Sequence, residues 1–512
     1  MTWKSYARRG SDPFWHGLIG RVRFLSPGFS DMSRTLRQML VLASLMVLLV
    51  AIGTPFVPPA LRGQVNNNGG NNQGNNQGNN NQGNNNGNAG GIKIDATGVV
   101  SLAIATDASG ALEKKRREAV AKKTLNADVN HPSKQRYVSL VELEKTVEQT
   151  LASQKPIPDD VFFLAGLQQI DDILVLPETK DLVIVGPAEG FVPDAVGRMV
   201  GVESGRPTLR LDDLVVAVRT LVKNREIGCS IDPVPERLAD LQNFIKQGGP
   251  ATAAVVEARF KQMDDILGMQ TVRVDGVPAE SHFGIAFVEA DYRMKRISMG
   301  LEIPGVKGLK SHLAMLGAGG NTMQRWWFVP LYDAIYRSED GLAFRFAGQR
   351  LQLLAEEELA DAQGNRFAAP TTRVSTKAFA KQFTEKFPEL ASKSPIFAEL
   401  QNLTDWAVLV ALIQQEKLAD KIGWTMSTLL DERRLSVPTF NAPKQVPSMV
   451  NYKKAGASII GLVGGGVVIH PAQTVNKSLT SASGDQRLES SRKTAATANR
   501  SESHRWWWDA AK

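Results

Sequence analysis

The sequence of 512 residues predicts an α+β protein. Two runs, Ile173–Leu176 and Leu182–Val185, are apolar without alternation, as in strands covered on both faces. Alternating segments flank Asp340-Gly341, a dipeptide that favours a two-residue hairpin turn. Helical and strand patterns are interspersed without the regular period of a βαβ repeat. We therefore expect mixed and antiparallel sheets packed with helices.

Four segments of different composition divide the chain. We predict a basic N-terminal region with a signal peptide or signal anchor at 1–64 and a disordered Asn/Gly/Gln linker at 65–91. A globular α+β module is predicted at 92–474, with two lobes meeting near 248–250, where the sequence reads Gly-Gly-Pro. A disordered Ser/Thr/Ala-rich tail is predicted at 475–512.

An apolar segment near the N-terminus predicts export. Met39–Gly53 is uncharged, follows Arg34 and Arg37, and is followed by small residues and prolines, as in a secretory signal. It is shorter than the roughly 20 residues of a spanning helix, although its extension to Val57 leaves an uncleaved anchor open. Both alternatives place the module in the periplasm or at the cell surface. Translation from either Met1 or Met32 is compatible with this pattern.

The distribution of charge argues against a nucleic-acid partner. The formal net charge is +8, of which residues 1–37 carry +5 and residues 475–512 carry +3. Residues 38–474 are therefore neutral overall, whereas a nucleic-acid domain usually has a basic face that neutralises several phosphates. No nucleic-acid partner is expected.

The first half of the module predicts hairpins and capped helices. Strands at 92–95 and 99–102 flank a turn, and a charged helix follows at 112–123. Ser139 with Glu142 forms a capping box, and Asp212 is a suitable N-cap for a helix whose apolar face begins at Leu214.

The second half predicts a similar mixture of elements. We expect a helix over 256–267, a strand over Phe283–Val288, and a β meander over Arg325–Leu354. Later elements are a Phe-lined helix stopped by Pro388, a helix that begins at Ser394-Pro395, and a hairpin within 455–469 that turns at Gly464-Gly465.

Cys229 and His282 are the candidate catalytic residues. Cys229 is the only cysteine, and a thiol nucleophile needs a base, which His282 or His312 could supply. The competing interpretation is a buried, inert cysteine before the Asp232-Pro233 turn, because no second catalytic signature accompanies it.

No metal or cofactor site is predicted. Glu280, His282, Glu289 and Asp291 are ligand types without the close His pairing of a zinc motif. The glycine-rich loop 317–322 lacks the Lys-Ser/Thr ending of a phosphate-binding loop, so we predict a helix-to-strand connection there.

Two groups of tryptophans, at 326–327 and at 506–508, each allow two interpretations. Trp326 or Trp327 beside Arg325 could stack on a sugar or a peptide, or lie in the core. The C-terminal run Trp506–Trp508 is predicted to be a disordered end or a contact for a membrane or a partner.

Four strings carry a family resemblance: DLVIVGPAEG at 181–190, GCSIDP at 228–233, EADYRMK at 289–295 and QRWWF at 324–328. Together they resemble an uncharacterised family of exported proteins of planctomycete bacteria, classed as a domain of unknown function. The resemblance covers most of residues 92–474. It implies export, one large module and a bacterial cell envelope, and it implies no activity, ligand or catalytic residue.

These observations predict an exported cell-envelope protein that acts as a non-catalytic binding or scaffolding module. One alternative is an envelope hydrolase with a site near Cys229 and His282, and another is a glycan- or peptidoglycan-binding protein. An envelope protein or a glycan is the expected partner, and the membrane is contacted through the N-terminal segment if that segment is uncleaved.

Overall fold

The structure is a computed structural model, and its described residues all lie within the unit 74–512. Residues 1–87, which hold the predicted export segment and most of the predicted linker, lie outside the described residues. The described ranges are 88–94, 99–106, 111–124, 128–221, 226–248, 253–317, 322–453, 459–482, 486–497 and 505–510.

Strands and helices alternate irregularly along these ranges, which confirms the α+β class. The strands are β1 (Asn88–Ile94), β2 (Val100–Thr106), β3 (Ser133–Ser139), β4 (Asp172–Leu176), β5 (Asp181–Ala188), β6 (Phe191–Pro193), β7 (Met199–Gly201), β8 (Ile227–Pro233), β9 (Met269–Asp275), β10 (Thr322–Leu331), β11 (Ala334–Arg337), β12 (Ala343–Ala347), β13 (Arg350–Ala360), β14 (Arg366–Ala368), β15 (Gln445–Pro447), β16 (Val450–Lys453), β17 (Ile459–Ile469), β18 (Leu479–Ser481) and β19 (Trp507–Asp509).

The helices include one long buried element and several short ones. They are α1 (Ala111–Thr124), α2 (Leu140–Ala152), α3 (Asp159–Phe162), α4 (Leu211–Leu221), α5 (Pro235–Gln247), α6 (Ala253–Leu267), α7 (His282–Ser298), α8 (His312–Met315), α9 (Val374–Lys393), α10 (Pro395–Gln415), α11 (Leu418–Ile422), α12 (Ser427–Leu430), α13 (Pro471–Ser478) and α14 (Gln486–Thr497). A short 3₁₀ turn spans Leu164–Gly166.

A seven-stranded sheet has the order β18-β11-β12-β4-β5-β3-β19, with the antiparallel pair β4–β5 near its centre. Ile173 and Val175 join the main core, whereas Leu174 and Leu176 pack with Leu488 of α14 on the opposite face. The unbroken apolar runs of the sequence therefore have the predicted cause: both faces of these strands are covered.

A second sheet has the order β14-β13-β10-β17-β8-β9-β15, and β16 pairs with β17. The predicted hairpin at Asp340-Gly341 is confirmed as β11–β12. Its loop is longer than the expected two-residue turn, because the Ser338 N–H donates to the Ala343 carbonyl and residues 339–342 lie between them. The predicted meander is wrong, because the chain leaves the seven-stranded sheet after β12 at the turn around Gly348, and β13 pairs with β10 in the second sheet.

The glycine-rich run 464–466 lies inside a single strand, β17, so the predicted hairpin turn there is wrong. A Cβ at Gly465 would collide with the carbonyl oxygen of Trp326, and one at Gly466 would collide with that of Cys229. Glycine is needed because two neighbouring backbones approach closely, and not because the chain turns.

Two helices also differ from prediction. Phe283–Val288, predicted as a strand, opens α7, because Ser281 caps this helix and nearly every face of it is buried. A short apolar run does not distinguish a buried helix from a strand. In α9, Pro388 does not end the helix, which continues to Lys393 with Leu390 still buried.

Helix α10 is the central element of the core, and Ile396–Ile413 is buried throughout. It begins at Pro395, as the sequence predicts. Among the described residues it is the one helix long and apolar enough to cross a membrane, but its complete burial within the fold is typical of a core helix.

The described parts of the C-terminal region are folded, so the predicted disordered tail is wrong there. Helix α14 packs on the seven-stranded sheet and β19 pairs with β3. Trp506 and Trp507 are buried. At the other end, the β1–β2 hairpin is confirmed, and its first strand includes residues 88–91 of the predicted linker.

Candidate functional site: a buried charge cluster around His282

His282 occupies the first position of α7, where the local sequence holds it firmly. The Ser281 hydroxyl accepts a hydrogen bond from the Gly284 N–H at 3.1 Å, which caps the helix. A Cβ at Gly284 would lie 2.7 Å from the Pro278 carbonyl oxygen, so glycine is required for this approach. The imidazole is thereby directed toward α4 and α10.

Two carboxylates flank the imidazole. Nδ1 lies 3.0 Å from both oxygens of Asp213, in the first turn of α4. Nε2 lies 3.6 Å from Glu399 Oε1, on the core helix α10. The His282 side chain is 16% exposed, and both carboxylates are buried. The first turns of α4 and α7 and the core helix α10 therefore meet at His282.

Two arginines complete the cluster. Arg198, in the turn between β6 and β7, pairs with Glu399 at 2.8 Å and with Glu289 at 3.0 Å. Arg210 pairs with Asp212 through two N–H donors at 2.9 and 2.7 Å, a bidentate arrangement. Three cations, counting a protonated His282, thus neutralise most of the charge of four carboxylates.

The electrostatics fix the protonation state of His282. Burial and the Arg210 charge lower its pKa, but the charge and hydrogen bonds of Asp213 and the contact with Glu399 outweigh them and raise the pKa to about 9. Burial raises the pKa of Glu399, but Arg198 and His282 together lower it to about 2. At neutral pH the pair is therefore an imidazolium beside a carboxylate. Such a histidine can donate protons in hydrogen bonds but cannot accept one as a base.

Cys229 lies elsewhere, on β8 between β17 and β9, and is 5% exposed. Burial raises the pKa of its thiol well above the usual value, and the Asp291 charge adds to the rise. Asp291 is nine residues along α7 from His282, which corresponds to about 13 Å of helix. The structure does not bring Cys229 and His282 into one cleft, and a buried thiol of this kind is a poor nucleophile.

The other sequence candidates are dispersed. His312 is buried against Thr376 and the Trp326 ring, and burial together with Arg373 lowers its pKa to about 4. Asp291 pairs with Lys295, and Glu280 is exposed. Within the described residues no group of three or more His, Cys, Asp or Glu side chains is arranged to hold a metal ion.

The tryptophan pair is divided between core and surface. Trp326 is fully buried against Phe379, at 4.8 Å between ring centroids. Trp327 lies on the other face of β10 and is half-buried, with the Arg325 guanidinium 5.5 Å from its ring centroid. One indole of the pair therefore reaches solvent beside an arginine.

A cavity of about 350 Å³ adjoins the cluster at the start of α7. Its lining mixes hydroxyl and charged side chains with prolines and valines. The lining residues include Arg219, Thr220, Pro278, Glu280, Ser281 and Val437.

Sequence reasoning found His282 but not its partners. Asp212 appeared only as a helix N-cap, and Asp213, Arg198 and Arg210 gave no signal. Glu399 is the one available clue, because a carboxylate within the apolar stretch of α10 requires a buried partner.

Comparison with known proteins assigns a domain but no activity. A family model described as "Protein of unknown function (DUF1598)" matches residues 229–312, which run from Cys229 on β8 to His312 on α8. This match covers His282 and most of GCSIDP at 228–233, and all of EADYRMK at 289–295, while the other two strings lie outside it. No curated protein and no solved structure matches the chain.

Proposed function

We propose that this protein is an exported, non-catalytic binding or scaffolding protein of a bacterial cell envelope. The observation that carries the non-catalytic part is the state of the two candidate catalytic residues. His282 is an imidazolium that is paired with Asp213 and Glu399, and Cys229 is a buried thiol whose pKa is raised. Both therefore support the fold more readily than a reaction.

Export is proposed from the sequence of Met39–Gly53. The Asn/Gly/Gln stretch beyond it has almost no apolar side chain and suits a tether between a membrane segment and a folded module.

The test is fractionation of cells that make the native protein, followed by N-terminal sequencing. We expect the protein in the periplasmic or membrane fraction, with a new N-terminus after Gly53 if the signal is cleaved. Full-length protein in the cytosol would refute export.

A separate assay addresses catalysis. We expect the purified protein, like its Cys229→Ala and His282→Gln variants, to show no hydrolase activity toward ester, amide and glycoside substrates. An activity abolished by either change, in a variant that remains folded, would favour the envelope hydrolase instead.

A glycan-binding function is the second candidate, favoured by the half-buried Trp327 beside Arg325. Sedimentation with purified peptidoglycan compares Trp327→Ala with the unchanged protein. Loss of cosedimentation in the variant would support this function, and no binding by either protein would exclude it.

A further inference from the structure

The C-terminal residues occupy one edge of the seven-stranded sheet. β19 pairs antiparallel with β3, with Trp507 opposite Val138 and Asp509 opposite Arg136. The Ser139 N–H donates to the Trp506 carbonyl at 2.8 Å, and the Ala510 N–H donates to the Gln135 carbonyl at 3.0 Å. The C-terminus thus binds as a peptide added to a sheet edge, a general mode of peptide recognition.

Side chains make this edge selective. Arg136 is fully buried, and its Nε and Nη2 donate to the two oxygens of Asp509 at 2.8 and 2.9 Å. The same guanidinium lies 4.4 Å from the centroid of the Trp507 ring. Trp508 stacks on Tyr137 at 5.4 Å with an interplanar angle of 9°. The edge therefore recognises the sequence Trp-Trp-Asp through a cation–π contact, a stacked ring and a bidentate ion pair.

The stretch of sequence between α14 and Arg505 is short and polar. Residues 498–504 read ANRSESH, without an apolar side chain larger than alanine. Among the described residues, β19 is held by its pairing with β3, by the packing of Trp506 and Trp507 in the main core, and by the ion pair of Arg505 with Asp128. A connection of seven residues gives the segment an effective concentration on the order of millimolar at its own β3 edge.

We propose that the β3 edge also accepts the Trp507–Asp509 segment of a second copy of this chain, so that two copies exchange β19. Every contact made within one chain is equally available between identical chains, so exchange costs little beyond association. A high local concentration, as on a membrane surface, favours it. This exchange deepens the proposed scaffolding function, because it names a second copy of the chain as the partner. It rests on that function only for the place where the protein acts.

Variants that each carry one engineered cysteine, besides the buried Cys229, test the exchange in the full chain. Gln135 and Ala510 are opposite each other across the β3–β19 ladder, within the Cα separation that a disulfide spans. Gln135→Cys and Ala510→Cys chains, one of them with a size tag, are mixed over a concentration series up to about 1 mM. After mild oxidation, dimers are separated on non-reducing gels.

We expect a disulfide-linked heterodimer whose yield rises with concentration, and an in-chain disulfide in the double variant. Asp509→Asn in the Ala510→Cys chain should lower the heterodimer yield about tenfold, because it removes the charge of the ion pair. In the control mixture, a Lys145→Cys chain, whose cysteine is exposed on α2, measures the disulfide formation that random collision alone produces.

A heterodimer yield no greater than that of the Lys145→Cys control would overturn the exchange, even if the double variant closes within the chain. If the double variant forms no in-chain disulfide, the β3–β19 pairing on which the exchange depends is contradicted. Neither outcome depends on where the cell places the protein, so the result is separate from the test of export.

Discussion

Replacing Lys295 with Met should expose the cost of an unpaired buried carboxylate. Lys295 and Asp291 are both fully buried on α7 and pair at 2.7 Å. The ammonium also donates to the carbonyl oxygens of Ile231 at 2.9 Å and Gly465 at 3.0 Å. All three acceptors lose their donor in the variant. The second carboxylate oxygen, Asp291 Oδ1, already has no hydrogen-bond partner among the described residues.

The expected loss in free energy of unfolding at pH 8 is about 3–5 kcal/mol, the usual cost of removing one partner of a buried ion pair. The double variant Lys295→Met with Asp291→Leu should recover most of it, because no unpaired charge then remains. At an exposed pair in the same chain, Lys381–Glu385, the matched change Lys381→Met should cost less than about 1 kcal/mol.

The loss should also depend on pH. Burial raises the pKa of Asp291 to about 6 even though Lys295 opposes the rise. Without Lys295 the folded pKa rises further. A carboxyl group whose folded pKa is raised destabilises the fold as pH increases through that value, so the Lys295→Met loss should be smaller at pH 5 than at pH 8.

Guanidinium denaturation followed by tryptophan fluorescence at the two pH values measures all four proteins. A loss below about 1 kcal/mol for Lys295→Met would refute the reasoning. So would a double variant that is as unstable as the single one, or a loss that does not change with pH.

Three further predictions concern the glycine run, the charge cluster and the thiol. Gly465→Ala should destabilise the protein by several kcal/mol in thermal unfolding, because its Cβ would collide with the Trp326 carbonyl. Gly197→Ala, at a glycine that also has a positive φ but open space around it, is the matched control, and equal effects would contradict the argument. His282 has a folded pKa of about 9 against 6.5 unfolded, so its contribution of about 3 kcal/mol should be present below pH 6.5 and lost as the pH rises to about 9. Denaturation midpoints from pH 6.5 to 9.5 should fall less in His282→Gln, and parallel curves would show that the histidine is not ion-paired. Cys229 should react with a thiol reagent such as Ellman's reagent only on unfolding, because it is buried and its pKa is raised; rapid labelling of the native protein would show an accessible thiolate.

Local sequence patterns predicted the elements whose formation depends on local chemistry. The β4–β5 pair, the hairpin at Asp340-Gly341 and the start of α10 at Pro395 all have signals within a few residues. Turn dipeptides, helix caps and apolar runs act over that distance.

Predictions failed where the decision came from distant residues. Whether Phe283–Val288 forms a helix or a strand depends on the surfaces that surround this segment. A buried helix and a buried strand can both have an unbroken apolar sequence, so the local pattern does not distinguish them. The predicted turn at Gly464-Gly465 failed because the backbones of β8 and β10, more than 100 residues away, approach β17 closely. The Trp506–Trp508 segment has no apolar neighbour in sequence, but Tyr137 and Arg136 are supplied by β3.

The sequence by itself determined the α+β class, the elements with local signals such as β4, β5 and α10, and the neutral charge of residues 38–474. Only the tertiary structure decided the environment of each functional side chain. His282 becomes an imidazolium because Asp213 and Glu399, 69 and 117 residues away in sequence, reach it across two helices. Protonation and hydrogen bonding depend on burial and on charges within a few ångströms, and those distances arise only when the chain has folded.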